Sequence, residues 1–331
     1  MDNNDSSLEL LTDSLETAIT GIPAPVRKNF IKAFGQLCTA AVDIPVAWLE
    51  GKATEIRAVT EARVQIIKKE GDSFSKNIEV PNEYISKAST KFASKIIKEQ
   101  LNLDEITLNA AKDLSNKEVK EESSVEEEID DDWLNEFESY ARLKSSEDMK
   151  LIFGKILSGE VSKPGTFSIR TLRLISQLDN QAAKLFQLLC SQSVSMMLGE
   201  LVYDARVVSF SGNAASNSLQ QFGLSFDNLN VLQEYGLIIS DYNSSMNYQY
   251  CIAHKGNSVD AILRFNDKNY GLIPTDMEKY DKELKLSGVA LTKAGKELLN
   301  IIPVENVENY KKALFEFFES KHLKIVPIGN Q

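Results

Sequence analysis

The stretch from Asp132 to Cys190 places the strongest constraint on the fold, because it carries four sets of helix signals separated by short turns. Apolar residues recur at helical spacing in each set, and Asp179 is placed to cap the last helix. We expect Gly159 to end the second helix. Four short helices joined by short loops predict a helical bundle. The apolar positions are Trp133, Phe137, Tyr140, Ala141, Met149, Ile152, Phe153, Ile156, Leu157, Ile169, Leu172, Ile175, Leu178, Ala182, Leu185, Phe186, Leu189 and Cys190.

A family resemblance rests on the same stretch. The run from Trp133 to Phe186, which contains FGKILSGEVSKPGTFSIRTLRLISQLDNQAAKLF, resembles the core of the bacterial family catalogued as domain of unknown function 2806. More loosely, the PGxF turn at 164–167 and the LDxxA step at 178–182 are similar to the abortive-infection alpha family. The resemblance implies a bacterial intracellular protein that serves in defence against phage, and it supplies no family active site.

Size and charge limit the classes of function. With 331 residues, 43% of them hydrophobic, the chain is long enough for two or three domains with their own cores. The formal net charge of −11 disfavours the broad electrostatic attraction to phosphates on which most nucleic-acid binders depend. A local basic patch stays open as an alternative.

The first residues and the apolar runs predict a compartment. The N-terminal sequence MDNNDSSLELL has neither a basic segment nor the apolar core of a signal peptide. No apolar run approaches the ~18 residues that a membrane-spanning helix requires. We therefore expect a cytoplasmic protein.

Residues 1–116 predict an elongated region of amphipathic helices. A long helix expected over 46–69 carries an apolar seam among alternating charges, which is typical of coiled coils. The seam either packs on the chain's own bundle or joins two or more copies. The expected partners are a second copy of the chain, bound through these N-terminal helices, or another protein. Membrane-surface contact through residues 30–50 is the weakest alternative, because Asp43 and Glu50 interrupt the apolar part. An amphipathic helix is expected over 81–100, and a further helix over 103–114; the apolar side of the first carries Tyr84, Ile85, Ala88, Phe92, Ile96 and Ile97.

An acidic segment at residues 117–132 predicts a domain boundary. It holds nine Asp and Glu residues against Lys117 and Lys120 alone. Like charges at this density repel one another, so we expect a mobile linker or a solvated helix end. The expected domains are therefore the helical region 1–116, the linker 117–132, the bundle 133–200 and a C-terminal domain 201–331.

The C-terminal domain is predicted to be α+β and similar to a winged helix. A helix over 227–235 is expected to stop at Gly236, and short strands are expected at 237–239, 248–253, 262–265 and 270–273. The run VALTKAGKELL at 289–299 is typical of the strand-to-helix step that closes a winged-helix module. A helix over 304–320 and a last strand, LKIVPI, complete the expectation.

The residues that carry chemistry are sparse. Phosphate-binding loops of the GxxxxGK[ST] kind, GxGxxG and GxSxG motifs are all missing from the sequence. We interpret Cys38, Cys190 and Cys251 as buried thiols. His254 and His322 are isolated, so neither has a second metal ligand at a suitable spacing. We therefore predict no catalytic, cofactor-binding or metal-binding residue.

One acidic cluster keeps a nuclease open as a remote alternative. Glu283 and Lys285, which follow Asp276 and Asp281, superficially resemble the carboxylate-plus-lysine set of metal-dependent nucleases. The surrounding MEKYDKELK has the polarity of a loop or a surface helix, which does not suit a catalytic centre. The main hypothesis is a non-enzymatic protein that acts by oligomerisation or partner binding. The alternative is a DNA-binding winged-helix regulator, although the expected reading helix at 227–235 carries no Lys or Arg.

Overall fold

The computed structural model describes residues 22–38, 82–116, 127–210, 212–213, 216–239, 241, 244–253 and 259–328. The chain forms two compact units, Met1–Leu172 and Arg173–Gln331. The helix predicted over 46–69, most of the acidic segment and His254 lie outside the described residues. The predicted limits of the bundle, 133–200, stay a prediction.

The first unit is helical. Pro25 lies at the start of α1, where a missing backbone N–H costs nothing. The side chain of Asp130 caps α3 by accepting a 2.8 Å hydrogen bond from the backbone N–H of Trp133. The helices are α1 (Ala24–Leu37), α2 (Asn82–Asn116), α3 (Asp131–Ala141), α4 (Glu147–Ser162) and α5 (Ile169–Gln177), of which α5 continues into the second unit.

Helices α2 and α4 lie side by side and run in the same direction. Gly154 permits this approach, since a Cβ at that position would lie 2.7 Å from the Cβ of Asn109. Four residues further along both helices, the hydroxyl of Ser158 bonds the carboxylate of Asp113 at 2.5 Å. The contact moves four residues towards the C-terminus on both helices at once, so α2 and α4 are parallel.

The core of this unit contains residues from both sides of the acidic segment. This corrects the expected division of an extended arm from a separate body, at least for the described residues, because α1 and α2 pack against α4. The buried apolar side chains include Phe30, Phe34, Leu37, Ile106, Ala110, Leu114, Trp133, Phe137, Phe153, Ile156 and Leu157.

The end of the acidic segment is held by α1. Asn29 accepts a 3.0 Å hydrogen bond from the backbone N–H of Ile129 and donates one to the carbonyl of Val161 at 3.3 Å. Lys32 pairs with Asp131 at 2.6 Å, which offsets part of the acidic charge. For residues 127–132 the structure favours the second alternative, a solvated helix end, because Asp131 and Asp132 are exposed in the first turn of α3 and α1 holds the residues before them.

Two helix limits also differ from the sequence prediction. The helices expected over 81–100 and 103–114 are one continuous helix, α2, because nothing at 101–102 interrupts the hydrogen bonding. Helix α4 continues past Gly159 to Ser162. A Cβ at Gly159 would lie 2.7 Å from the ring of Phe167, so this glycine makes room for a neighbouring aromatic ring and does not end the helix.

The second unit is an antiparallel sheet with helices, which confirms the α+β class. An eight-stranded sheet among the described residues has the order β10-β8-β7-β1-β2-β9-β5, and β6 also pairs with β9. Every pairing along this order is antiparallel. The strands are β1 (Val194–Leu198), β2 (Leu201–Val208), β3 (Gly212–Asn213), β4 (Ser216–Asn217), β5 (Ile238–Ile239), β6 (Ser245–Asn247), β7 (Ile262–Phe265), β8 (Lys268–Pro274), β9 (Lys285–Leu291) and β10 (Leu323–Pro327), of which β3 and β4 form a separate pair.

Three helices of the second unit begin at side-chain caps, of which Asp179 was predicted. Asp179, Ser225 and Thr292 each accept a hydrogen bond from a backbone N–H three residues later. Gly236 takes a left-handed φ of +70° directly after the helix that it was predicted to stop. The helices are α6 (Asn180–Gln192), α7 (Phe226–Glu234), α8 (Lys293–Leu299) and α9 (Glu308–Ser320), and two 3-10 helices span Ser218–Phe222 and Gln249–Cys251.

The winged-helix prediction is not confirmed, although its elements occur in the predicted order. Helix α7, the short strand β5, the strand β9 and helix α8 occur in this order along the chain, with β6, β7 and β8 between β5 and β9. Strands β5 and β9 belong to the large sheet. The strand expected over 248–253 is wrong, because Gln249–Cys251 form a 3-10 turn. Among the described helices, none combines the length and apolar character needed to cross a membrane.

Candidate functional site

The three cysteines are buried and carry no sign of reactivity. Burial raises the pKa of the Cys251 thiol to about 12 and raises the pKa of Cys190 as well. The pKa of Cys38 is raised by burial first and by nearby Asp104 second. A thiol acts as a nucleophile in its thiolate form, so these cysteines stay protonated and inert near neutral pH.

The residues of the nuclease alternative lie on the surface. Glu283 and Lys285 form a 2.7 Å ion pair, with their side chains 69% and 62% exposed. Asp276 instead accepts a hydrogen bond from the backbone of Glu278, and Asp281 pairs with Lys321 at 3.3 Å. Within the described ranges, no group of three or more His, Cys, Asp and Glu side chains could hold a metal ion.

His322, the histidine that the structure describes, lies in a tight turn. Its φ is +53°, and its carbonyl accepts a 2.9 Å hydrogen bond from the backbone of Thr275. The residue thus joins α9 to β10 through backbone contacts. Among the described residues it belongs to no group of three or more His, Cys, Asp and Glu side chains that could hold a metal ion.

A buried ionic network in the second unit was missed by the sequence analysis. The guanidinium of Arg206 donates to both carboxylate oxygens of Asp204, at 2.7 and 3.0 Å, and to the carbonyl of Leu286 at 2.9 Å. The hydroxyl of Tyr248 donates to the same Asp204 at 2.8 Å. Asp204 and Arg206 are 7% and 2% exposed. The signal in the sequence was their spacing of two, which places both side chains on one face of β2.

This network stabilises structure and offers no catalytic group. Burial and the neighbouring Asp204 raise the pKa of the Tyr248 hydroxyl well above its ordinary value, so it stays protonated. Two nitrogens of the Arg206 guanidinium donate to the Asp204 carboxylate, and the third donates to the backbone carbonyl of Leu286. The side chains are therefore committed to one another, and they tie β2 to β9.

The strongest candidate binding surface is a groove on the first unit, between α2 and the α3–α4 connection, with a volume of about 650 Å³. We call this surface the α2 groove. Apolar side chains and cations line it together, with one carboxylate. Its lining residues are Ala88, Lys91, Phe92, Ser94, Lys95, Lys98, Glu99, Asn102, Arg142, Leu143 and Ser145.

Two large apolar side chains in the α2 groove are exposed. Phe92 is 62% exposed and Leu143 is 59% exposed. Ile96, one turn further along α2, is 39% exposed. These residues of α2 belong to the apolar side of the predicted amphipathic helix, and the described residues do not cover them. Contiguous exposed apolar surface rimmed by polar groups marks interaction sites.

The α2 groove is basic in a protein that is acidic as a whole. Lys91, Lys95, Lys98 and Arg142 face a single carboxylate, Glu99. Glu99 lies 3.6 Å from both the Lys95 ammonium and the Arg142 guanidinium, so it neutralises only part of this charge. The groove can therefore bind a segment that offers apolar side chains and carboxylates together.

The wall formed by the α3–α4 connection is fixed by a backbone contact. Asn102 donates a 2.9 Å hydrogen bond from its amide to the carbonyl of Arg142. This bond holds the connection against α2 and orients the exposed side chain of the next residue, Leu143. The groove is thus a formed feature of the first unit.

Comparison with known proteins places the chain in a family. No curated protein and no solved structure matches it. A family model described as protein of unknown function (DUF2806) matches residues 86–315, which include the α2 groove and more than half of the chain. The looser similarity to the abortive-infection alpha family is not shown. The match confirms the first resemblance, and the chain belongs to the DUF2806 family of proteins of unknown function.

Proposed function

We propose that this protein acts by self-association, without chemistry of its own, and that the α2 groove is a surface through which copies meet. The single observation that carries the proposal is the exposure of Phe92 and Leu143 in a groove of the described helices. An apolar surface of this kind is costly in water and is stabilised when a partner covers it.

Charge supports a second copy as the occupant. Each copy carries a net charge of −11, so the surface of one copy is acidic as a whole while the α2 groove is basic. Electrostatic complementarity of this kind speeds association and fixes orientation. Salt screens it, since the Debye length falls from ~10 Å at about 0.1 M to ~3 Å at about 1 M.

The experiment is light scattering on size-exclusion fractions of the full-length protein at several concentrations. We expect a dimer or larger assembly whose dissociation is favoured by high salt. Phe92→Asp places a charge in the apolar part of the groove and is expected to shift the mass to that of a monomer. Met277→Asp is the matched control, because Met277 is 71% exposed and lies outside the groove. A monomeric wild-type protein at all concentrations contradicts the proposal.

The DNA-binding alternative has less support. Helix α7, which would read the major groove in a winged helix, carries Asp227 and Glu234 and no cation. A gel-shift assay at moderate salt with genomic fragments tests it, and retardation of a defined fragment would favour this alternative. A role in defence against phage is proposed from the looser resemblance alone.

A further inference from the structure

The α2 groove has a counterpart of opposite charge in residues 1–21 of the chain. These residues lie outside the described part of the chain, and their sequence predicts an amphipathic helix. Its apolar side carries Leu8, Leu11, Leu15, Ala18 and Ile19. The segment contains five Asp and Glu residues and no Lys, Arg or His, so it offers carboxylates and apolar side chains together. This is the composition that the α2 groove favours.

The charged residues of the segment and of the groove share one spacing. In each, three charges follow one another at steps of four residues and then three. The cations of the groove are the exposed Lys91, Lys95 and Lys98, and the carboxylates of the segment are Glu9, Asp13 and Glu16. Steps of four and three keep side chains on one face of a helix. Two such helices lying parallel therefore bring three carboxylates opposite three ammonium groups.

The apolar residues beside these charges fit the same parallel arrangement. In α2 the exposed Phe92 and Ile96 each come one residue after a lysine. In the segment Leu8 and Leu15 each come one residue before a carboxylate. The apolar edge thus lies on opposite sides of the charged row in the two helices. Two parallel helices that face one another need this relation if apolar residues are to meet apolar ones and charges are to meet charges.

Two other segments outside the described residues match the groove less well. The predicted helix over 46–69 carries five cations against three carboxylates, so the lysines of the groove repel it. Residues 117–126 carry four carboxylates, but their apolar residues are Val119 and Val125 alone. Two valines are too small to cover both Phe92 and Leu143.

The length of the connection favours a second copy over the same copy. The carbonyl of Leu37, at the end of α1, accepts a 2.9 Å hydrogen bond from the Gln100 amide, next to the groove. Ala24, at the start of α1, lies ~20 Å from Leu37, because a helix rises about 1.5 Å per residue. The register that pairs the charges puts Ile19 within one residue of the level of Gln100, and the steps from Ile19 to Ala24 span at most ~18 Å. The helix reaches its own groove only by losing its last turn, whereas a second copy meets no such limit.

We propose that residues 1–21 of one copy lie as a helix in the α2 groove of a second copy, parallel to α2. The inference rests on the proposed self-association and names the segment that mediates it. Each copy has one such segment and one groove, so two copies that exchange segments close a dimer with two equal contacts.

Isotope-mixed crosslinking of the full-length protein tests the proposal. A benzophenone amino acid replaces Phe92 in unlabelled protein, which is mixed with ¹⁵N-labelled wild type, irradiated and digested with trypsin. We expect crosslinks to the labelled peptide 1–27, which trypsin releases whole because Arg27 is the first Lys or Arg. Crosslinks to a different labelled segment, or to unlabelled peptide 1–27 of the same copy alone, overturn the inference. The first of these outcomes leaves self-association standing, whereas a protein that stays monomeric overturns both.

Charge exchange tests the register. Asp13→Lys faces Lys95 with a like charge, so at low salt we expect the dissociation constant of the dimer to rise roughly tenfold. Lys95→Asp, at a position 68% exposed, is expected to act similarly, and the double variant Asp13→Lys, Lys95→Asp is expected to recover most of the affinity. Thr17→Lys is the control, because it adds a positive charge on the side of the predicted helix opposite its apolar residues. A double variant as weak as the single variants overturns the inference, while Phe92→Asp reports on self-association separately.

Discussion

The indole Nε1 of Trp133 donates a 2.7 Å hydrogen bond to the backbone carbonyl oxygen of Phe167. The bond connects the start of α3 to the turn between α4 and α5. From the other side, the buried carboxylate of Glu160 accepts hydrogen bonds from the backbone N–H groups of Gly165 and Phe167, at 2.6 and 2.8 Å. Two side chains, one from α3 and one from α4, thus fix one glycine-containing turn, in the stretch that carries the family resemblance.

Trp133→Phe tests this relationship without removing the aromatic core. The ring stacks on Phe137 with centroids 5.2 Å apart, and phenylalanine keeps much of that contact. The carbonyl of Phe167 loses its donor in a buried place, so we expect the free energy of unfolding to fall by ~1–3 kcal/mol. Urea denaturation followed by circular dichroism measures it. An unchanged midpoint would mean that the indole N–H contributes nothing.

Glu160→Gln tests the acceptor side of the same turn. Glutamine has one carbonyl oxygen, so one of the two backbone N–H groups at 165 and 167 loses its acceptor. We expect a loss of ~1–3 kcal/mol in the free energy of unfolding. Glu136→Gln on α3 is the control, since Glu136 is only partly buried and is expected to change stability by less than ~0.5 kcal/mol. Equal effects of the two substitutions would contradict the role given to Glu160.

The turn also shows what the sequence could predict. The cap at Asp179 and the stop at Gly236 are local signals, and both were predicted correctly. Gly159 was misinterpreted because the reason for a glycine there is the ring of Phe167, eight residues later in the chain and in contact only after folding. Local sequence patterns predicted the helices, whereas the end of α4 depends on tertiary contacts.

The strand order of the sheet and the partner of the α2 groove could not be predicted from the sequence, because both depend on contacts between residues far apart in the chain. An alternating pattern marks a strand, but the order β10-β8-β7-β1-β2-β9-β5 depends on pairings between residues far apart in the chain. The apolar stripe of α2 was predicted from its helical spacing. What covers Phe92 cannot be read from its spacing, because periodicity identifies a face and not its partner.

Asp204→Asn tests the buried ionic network of the second unit. It leaves Arg206 buried without its counter-charge, so we expect a loss of ~3–5 kcal/mol in the free energy of unfolding. The double variant Asp204→Leu, Arg206→Met removes both charges and is expected to recover most of this loss. Asp267→Asn is the control, because Asp267 pairs with Arg264 at the surface, 60% exposed, where ion pairs contribute ~0–1 kcal/mol. Denaturation midpoints of the four proteins measure these differences, and similar losses for Asp204→Asn and Asp267→Asn would contradict the assignment.

Cys251 predicts how stability depends on alkaline pH. Burial raises its pKa from 9.0 to about 12 in the folded protein, so the unfolded chain releases the thiol proton first. Stability is therefore fully present below pH 9 and falls as pH rises from about 9 towards 12, by up to ~1.4 kcal/mol per pH unit from this one group. Melting temperatures measured from pH 8 to 11 are expected to decline less steeply for Cys251→Ala than for the wild type. Parallel declines for the two proteins would show that the thiol is not the cause.

Photo-crosslinking from position 92 tests the proposed self-association most directly. A benzophenone amino acid placed at Phe92 lies in the α2 groove, and the same group at Met277 provides an exposed position outside it. We predict that irradiation of the full-length protein gives a covalent dimer from position 92 and little or none from position 277. A monomeric product from position 92, at concentrations well above those of the light-scattering experiment, would contradict the claim that copies meet at this groove.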